Sequence, residues 1–338
     1  MQTEIISVDP RSPQPDVIAR AAAVLQRGGL VAFPTETVYG LGANALDPVA
    51  VAKIFAAKGR PANNPIIVHI PDAASVERVA AAWPEHAARL AVHFWPGPLT
   101  LVLPKRRELP AVVTAGGPTV AVRVPANPIA LELLRAADIP VAAPSANLSS
   151  ELSPTRAEHV HRGLAGRVDL ILDGGPAAGG IESTVVDVTR TPPRLLRPGL
   201  LHPAEIERVI GSLARGSAIA SSDLAPLASP GMLARHYAPK TKLYCENEAA
   251  RERIEALAAR GDRLAWIPFA APLDLGQPNV HAVPMPKDPA GYAAKLYAVL
   301  HELDEANLTA IVVELPPATD DWLAIRDRLL RAMQRASL

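Results

Sequence analysis

The chain has 338 residues, 49% of them hydrophobic, which allows one large domain or two ordinary domains with buried cores. Lys plus Arg and Asp plus Glu number 34 each, so the formal net charge is zero and bulk positive charge cannot hold a polyanion. The single cysteine, Cys245, excludes an internal disulfide and a cysteine metal cluster, and this usage suits a reducing cytoplasm.

Short β-type runs alternate with Ala- and Leu-rich helical stretches over the first two thirds of the chain, which indicates an α/β domain. Several strands follow one another through short turns, so we expect a mixed sheet. The predicted strands are Leu30–Phe33, Pro65–Ile70, Leu99–Leu103, Val120–Val124, Val141–Ala143, Asp169–Leu172 and Thr184–Val188. The predicted helices are Asp16–Arg27, Pro48–Ala57, Ala74–Ala81, Glu85–Phe94 and Pro128–Ala137.

A second α/β pattern follows a stretch with linker composition, GSAIASSDLAPLASPG, that begins at residue 216. Strands are predicted at Lys242–Cys245, Arg263–Pro268 and Ala310–Glu314, and helices at Glu248–Arg260, Ala290–Glu305 and Asp321–Ala336. This pattern predicts a small doubly wound domain. We expect a catalytic domain at 1–211, a linker at 212–240 and a C-terminal domain at 241–338.

The first polar segment, Phe33–Asn44, reads FPTETVYGLGAN and is predicted as a strand, a polar turn and a glycine-rich bend. Gly40 and Gly42 fit part of a dinucleotide-binding fingerprint, but polar residues separate them from the strand and no acidic residue follows about 20 positions on. A nicotinamide site is therefore disfavoured. A structural turn with incidental threonines remains an alternative to a ligand loop.

The second segment, Lys58–His69, reads KGRPANNPIIVH. Lys58 and Arg60 lie two residues apart in a loop, where a compact charge beside a planar fork could clamp a triphosphate. Asn64 adds a donor and an acceptor. A solvated loop and a core histidine at His69 are the plainer interpretations.

The third segment, Thr119–Pro125, reads TVAVRVP, and strand alternation places Thr119, Ala121 and Arg123 on one face. An arginine within an apolar strand is costly unless it meets an anion, and a structural ion pair would serve equally well.

The remaining polar segments combine small residues with neutral hydrogen-bonding groups. Ala142–Pro154 reads AAPSANLSSELSP and lacks the Gly-x-Ser-x-Gly pattern of a serine nucleophile, while Ser153 could cap a helix beginning near Pro154. Asp173–Asp187 reads DGGPAAGGIESTVVD, which suits either a ligand loop or a glycine hairpin. His159 and His161 lack a nearby third ligand, so no zinc site is expected.

In this order the chain carries PTETVYGLGANA, KGRPANNPIIVH, FWPGPLTLVL, VAVRVP, APSANLS, DGG with GIESTVVD, and LLRPG, followed by SPGMLARHYAPKTKL. This set resembles the YrdC-type family, and within it the long two-domain branch of threonylcarbamoyl-AMP synthases. The resemblance is strong over about residues 10 to 245 and rests on pattern alone beyond them. It implies a twisted mixed α/β sheet with a concave basic cavity, followed by a small Rossmann-like domain.

The resemblance also implies a reaction and its site. L-Threonine, bicarbonate or CO2, and ATP would give L-threonylcarbamoyl-AMP and pyrophosphate, and a transferase would then use the product to make threonylcarbamoyladenosine next to the tRNA anticodon. The implied threonine-binding residues are Thr37, His69, Arg123, Ala143 through its backbone, and Ser183. The implied ATP-binding residues are Lys58, Arg60, Asn64, Thr119, Ser145, Ser153, Arg197 and Tyr237.

No covalent nucleophile is expected, because displacement at phosphorus needs positioning and charge stabilisation, here assigned to Lys58 and Arg60. Magnesium is expected on the ATP phosphates and not in a protein cage. The opening residues show no signal-peptide pattern and no apolar run reaches the roughly 18 residues of a membrane span, so a cytoplasmic enzyme is expected. The resemblance also allows a weak tRNA contact.

Three other functions remain open. A double-stranded RNA-binding module without turnover is disfavoured by the zero net charge and the 4% aromatic content. Carbamoyl transfer from carbamoyl phosphate would need further regions, including a zinc finger for which the cysteines are absent. A regulatory nucleotide-binding protein without turnover can be separated only by assay.

Overall fold

The computed structural model describes residues 2–215, 237–247, 249–269 and 276–333. Contacts divide the chain into two compact units, one of residues 1–149 and 153–233 and the other of residues 150–152 and 234–338. The predicted linker over 212–240 has most of its residues outside the described ranges, so its bounds stay a prediction.

The first unit is built on a mixed ten-stranded sheet in the order β1-β8-β2-β3-β7-β4-β6-β5-β9-β10. Parallel pairs such as β4 with β6 alternate with antiparallel pairs such as β5 with β6, which confirms the predicted mixed sheet. The strands are β1 Glu4–Ser7, β2 Val31–Pro34, β3 Tyr39–Asn44, β4 Ile67–His69, β5 Leu99–Pro104, β6 Thr119–Arg123, β7 Val141–Ala142, β8 Leu170–Asp173, β9 Thr184–Asp187 and β10 Arg194–Arg197.

Four helices of the first unit begin with a proline residue. Proline opens α1, α2, α4 and α6, because the first turn has no use for its missing N–H. Asp47 and Asn127 cap α2 and α4 by accepting from backbone N–H groups of the first turn. The helices are α1 Pro15–Gln26, α2 Pro48–Lys58, α3 Glu85–Phe94, α4 Pro128–Ala137, α5 Ala157–Leu164 and α6 Pro203–Ile210, with 3-10 turns at Ala74–Arg78 and Ala111–Thr114.

The core on one side of this sheet lies under α1 and α4. Leu25 of α1 and Leu133 of α4 are fully buried against strand residues such as Phe33 and Leu172. This packing fixes β2 and β8, and β2 leads directly into the first polar segment.

The second unit is a small parallel sheet in the order β11-β14-β12-β13 with helices on both faces, as the doubly wound pattern predicts. Helix α7 packs Ile254 against Trp266 and Val312, while α8 buries Tyr292 and Leu300. Its elements are β11 Lys242–Glu246, α7 Ala250–Ala258, β12 Leu264–Ile267, β13 Val280–Ala282, α8 Pro289–Glu305, β14 Ala310–Glu314, a 3-10 turn at Asp320–Trp322 and α9 Leu323–Ala332.

Three local expectations were wrong. The predicted glycine-rich bend is the six-residue strand β3, which pairs antiparallel with β2. The predicted helix at Ala74–Ala81 is a short 3-10 turn, and the helix expected near Pro154 begins only at Ala157. Within the described ranges every helix is too short or too polar to span a lipid bilayer.

Candidate active site

A buried arginine lies at the centre of the candidate site. Arg123 ends β6 with a side chain 4% exposed, and its Nε donates to the Gly97 carbonyl at 3.2 Å. Its Nη1 donates to Thr37 Oγ1 at 3.0 Å, and its Nη2 lies 2.6 Å from Glu36 Oε1. A guanidinium at this depth needs a carboxylate partner, so Glu36 explains how the apolar strand tolerates Arg123.

The two threonine hydroxyls of the first segment form a directed chain. Thr35 Oγ1 lies 2.6 Å from the Val38 carbonyl, which can only accept, so the Thr35 hydroxyl is the donor there. Thr37 Oγ1 lies 2.8 Å from Thr35 Oγ1 and therefore donates to it, while it accepts from Arg123. Thr37 thus keeps an acceptor lone pair for a ligand, and its hydroxyl hydrogen is already used.

His69 lies beside this arginine on the neighbouring strand. Residues 69 and 123 are register partners in the parallel pair β4 and β6, so both side chains stand on one face. Burial, and next the positive charge of Arg123, lower the pKa of His69 to about 3. The imidazole is therefore neutral at physiological pH and can act as a hydrogen-bonding group, not as a cation.

The predicted backbone contact at Ala143 is restricted by the sheet. The Ala143 N–H donates to the Ile67 carbonyl at 2.9 Å. Any contact with a ligand would therefore come from the Ala143 carbonyl, which can only accept.

Lys58 organises the loop that follows β7. It is 2% exposed at the end of α2, where Gly59 ends the helix with a φ of 60°. Its ammonium donates to the carbonyls of Ser145 and Asn147, each at 2.5 Å. The fixed loop then pairs with β3, because Ala146 N–H donates to the Tyr39 carbonyl at 2.9 Å.

Arg60 holds its own loop in the same manner. Its Nε donates to the Asn64 carbonyl at 3.1 Å, and its Nη2 donates to Asn64 Oδ1 and the Pro65 carbonyl at 2.7 Å. Arg60 and Asn64 are both buried. The two cations are thus placed by backbone carbonyls, and their contact with phosphate stays a prediction.

Arg197 and Ser183 are brought together by β10 and the start of β9. Nε and Nη2 of Arg197 donate to the Ser183 carbonyl at 3.1 and 3.0 Å, and Nη2 also donates to Ser183 Oγ at 3.1 Å. Ser183 Oγ lies 2.8 Å from Thr100 Oγ1 of β5. A residue assigned to threonine and one assigned to ATP therefore share a hydrogen bond.

The other predicted residues are Ser153 and Thr119 in the first unit and Tyr237 in the second. Ser153 is fully buried and donates to Glu182 Oε1 at 2.5 Å, so it does not cap a helix. Thr119 opens β6 and is half-buried. Tyr237 belongs to the second unit, where its buried ring stacks at 6.0 Å on Tyr297 and lies under the Arg328 guanidinium at 5.1 Å.

Sequence reasoning missed the residues that hold these groups, namely Glu36, Tyr39, Thr100 and Glu182. Tyr39 donates to the Gly175 carbonyl at 2.6 Å and so fixes the glycine loop after β8. Burial, followed by the negative charge of Asp173, raises the pKa of Tyr39, which keeps the phenol protonated. Only Glu36 carried a signal in the sequence, as an acidic residue between two threonines.

The chain matches two family profiles. The Sua5/YciO/YrdC profile, described as telomere recombination, matches residues 23–199, and the C-terminal domain profile of threonylcarbamoyl-AMP synthase matches residues 201–333. The threonylcarbamoyl-AMP synthase of Pyrococcus abyssi is 51% identical over 243 residues, 71% of this chain and 72% of that protein. The enzyme of that name from Bacillus subtilis is 44% identical over 320 residues, 93% of this chain and 92% of its own.

Solved structures agree with these matches. P. abyssi Sua5 in complex with L-threonine superposes with a TM-score of 0.89 at 42% identity, covering 97% of both chains. Escherichia coli YciO superposes with a TM-score of 0.52 at 28% identity, covering 59% of this chain and 96% of its own.

Proposed function

The chain belongs to the Sua5/YciO/YrdC family, with the C-terminal domain of its threonylcarbamoyl-AMP synthases, and from that premise we propose that it makes L-threonylcarbamoyl-AMP. The substrates are L-threonine, bicarbonate or CO2, and ATP, and the second product is pyrophosphate. The enzyme is then a nucleotidyltransferase of the cytoplasm.

The observation that carries the proposal is the cluster of Arg123, Thr37 and neutral His69 in one buried site. The Arg123 guanidinium can pair with the carboxylate of threonine. The uncharged side chains of Thr37 and His69 are compatible with its neutral side chain, which carries a hydroxyl and a methyl group. The likeness to a protein crystallised with L-threonine supports this choice of ligand.

In the proposed reaction the threonine ammonium first loses a proton, and the free amine adds to CO2, or to bicarbonate with loss of water, to give a carbamate and release its second proton. A carbamate oxygen then attacks the α-phosphorus of ATP as pyrophosphate leaves. The protein needs no nucleophile of its own, since the reaction is a displacement between bound molecules. Its residues hold the two reactants in line and stabilise negative charge on the leaving phosphates.

The proposed nucleotide contacts follow the loops already described. Lys58 and Arg60 present buried positive charge beside Ser145 and Asn64, and Arg197 does so beside Ser183. Among the described residues no group of three or more His, Cys, Asp or Glu side chains is placed to hold a metal ion. We propose that magnesium is carried by the ATP phosphates, where it would neutralise their charge.

The product is a reactive mixed anhydride, so a further enzyme must accept it. We propose that a tRNA-modifying threonylcarbamoyl transferase does so, with no more than weak direct tRNA contact by this chain. Bulk charge gives no support to stronger contact, because the net charge is zero.

Pyrophosphate release from ATP and magnesium tests the reaction, with L-threonine and bicarbonate omitted in turn. The proposal requires release that depends on both. Release without threonine would point to simple hydrolysis of ATP to AMP and pyrophosphate. The absence of release under every combination, together with RNA binding that weakens steeply with salt, would favour the RNA-binding alternative.

A further inference from the structure

The pairing of Arg123 with Glu36 has a consequence for substrate choice, if the proposed function holds. Each of the three guanidinium nitrogens of Arg123 already has a neighbour, in Gly97, Thr37 and Glu36 respectively. The pair with Glu36 is close, at 2.6 Å, yet within the described residues neither of its two atoms has an aligned hydrogen bond. The contact is therefore mainly one of charge.

Glu36 is held in place through its side chain and through its backbone. Oε2 accepts from the Ala126 N–H at 3.0 Å, and the Glu36 carbonyl accepts from the Gly179 N–H at 2.8 Å. The Glu36 side chain is 18% exposed, against 4% for Arg123. Glu36 is thus the member of the pair that solvent, and therefore a ligand, reaches more readily.

The charges of this cluster sum to zero when the site is empty. Arg123 contributes one positive charge, Glu36 one negative charge, and neutral His69 none. A ligand that brought only a carboxylate would leave one uncompensated negative charge in a buried place, which is costly. A ligand that brings a carboxylate and an ammonium together keeps the sum at zero.

We propose that Glu36 is a specificity-determining residue that provides the counter-charge for the substrate's α-ammonium while Arg123 meets its α-carboxylate. The pair then recognises a zwitterionic α-amino acid and rejects the corresponding simple hydroxy acid. The assignment concerns the binding step, before the amine is carboxylated.

Calorimetric titration without ATP tests this with L-threonine and (R)-3-hydroxybutanoate, which is threonine without its amino group. The variant Glu36→Gln keeps the shape of the side chain and an acceptor for Ala126, but removes the charge. The wild type should favour threonine, and the affinity ratio of threonine to 3-hydroxybutanoate should fall about tenfold or more in Glu36→Gln. The exposed variant Glu132→Gln is the matched control and should keep the wild-type ratio.

Each outcome separates the hypotheses. If Glu36 only holds Arg123 in position, Glu36→Gln lowers the affinity for both ligands by the same factor. The affinity ratio is then unchanged and the inference is wrong. If 3-hydroxybutanoate binds too weakly to measure in wild type, its measurable binding by Glu36→Gln supports the inference and continued absence overturns it. Where Glu36→Gln does not fold, Glu36→Ala replaces it, and the affinity ratio should again fall, whereas an unchanged ratio overturns the inference. A wild type that binds no L-threonine contradicts the proposed function itself.

Discussion

At the scale of single residues, the site is defined by how a few buried charges are compensated. Arg123 is surrounded by an apolar strand and is tolerated because a carbonyl, a hydroxyl and a carboxylate meet its three nitrogens. The fork of the guanidinium is what allows three directions at once, and an ammonium cannot reproduce that geometry.

Replacing Arg123 by lysine should therefore impair threonine binding while it keeps the charge. We expect Arg123→Lys to raise the KM for L-threonine about tenfold or more, the scale of one charge-assisted hydrogen bond, with the KM for ATP changed less. Steady-state pyrophosphate release measures both constants. Arg135→Lys, at an exposed ion pair on α4, is the control. An equal rise in both KM values would contradict the assignment of Arg123 to threonine.

His69 predicts a specific pH dependence of stability. Its pKa is about 3 in the folded protein against 6.5 for an ordinary histidine, so below pH 6.5 the unfolded chain takes up a proton that the folded chain refuses. Stability contributed by neutral His69 is complete above about pH 6.5 and is lost progressively as the pH falls towards 3. The loss approaches about 1.4 kcal/mol per pH unit at most.

Urea unfolding at several values between pH 7 and pH 4 tests this. The free energy of unfolding should fall less steeply with acidification in His69→Gln than in the wild type. The exposed His161→Gln should leave the wild-type slope unchanged. Parallel curves for the wild type and His69→Gln would show that His69 is not buried as a neutral group.

At the scale of elements, loops are positioned by cations that bind carbonyls. Lys58, at the end of α2, fixes the loop of Ser145 and Asn147, and that loop pairs with β3. Lys58, whose charge is proposed to bind phosphate, thus also holds this loop in place. Its removal should therefore affect both turnover and stability.

Lys58→Ala should lower turnover about tenfold or more, the scale of losing one charge-stabilising contact. Pyrophosphate release measures the turnover, and thermal unfolding should show a modest loss of stability. The control is Lys53→Ala on the same helix, an exposed residue whose ammonium donates to the Gly28 carbonyl. A near-normal rate in Lys58→Ala would rule out the proposed phosphate role.

Strand β3 shows which sequence signals mislead. Glycine is unfavourable in strands, so Gly40 and Gly42 favoured a bend, yet at Gly42 tertiary contacts select glycine. A Cβ on Gly42 would lie 2.8 Å from the Phe33 ring and 2.9 Å from the Val141 side chain. Close packing with residues distant in sequence gives no local pattern.

Gly42→Ala should therefore destabilise the protein by about 1–3 kcal/mol, the usual cost of overpacking. Denaturant unfolding measures the change. Gly163→Ala is the matched control, since its Cβ would lie 3.9 Å from the nearest atom and alanine favours the helix α5. It should be neutral or mildly stabilising. Equal effects of the two substitutions would argue against the close packing at β3.

At the scale of the molecule, the alternation of β-type runs with helical stretches, together with the short turns between some strands, was enough to predict a mixed sheet followed by a doubly wound parallel one. Short elements were missed, such as β1 and β13, because four or three residues carry little periodicity. Motifs in the sequence predicted which side chains bind the ligands, and those assignments stay predictions, whereas the residues that hold these side chains in place were not predicted. Glu36, Thr100 and Glu182 are selected by contacts formed only on folding.

Each of the two units has its own hydrophobic core, and this predicts separate responses to core mutations. Leu133 of α4 is buried in the first unit and Leu300 of α8 in the second. Calorimetry should resolve two unfolding transitions. Leu133→Ala should lower the temperature of one and Leu300→Ala that of the other, since each substitution should reduce the unfolding free energy of its own unit by about 2–5 kcal/mol. The two variants serve as controls for each other.

L-Threonine should then raise the temperature only of the transition that Leu133→Ala affects, because the proposed threonine-binding residues all lie in the first unit. At about 100 times its Kd, a ligand adds roughly 2.7 kcal/mol, which raises the Tm of a unit of this size by about 5–10 °C. Arg123→Lys should reduce that rise and leave the other transition unchanged. A single transition, lowered alike by both core variants and raised as a whole by threonine, would mean that the two cores unfold as one cooperative body.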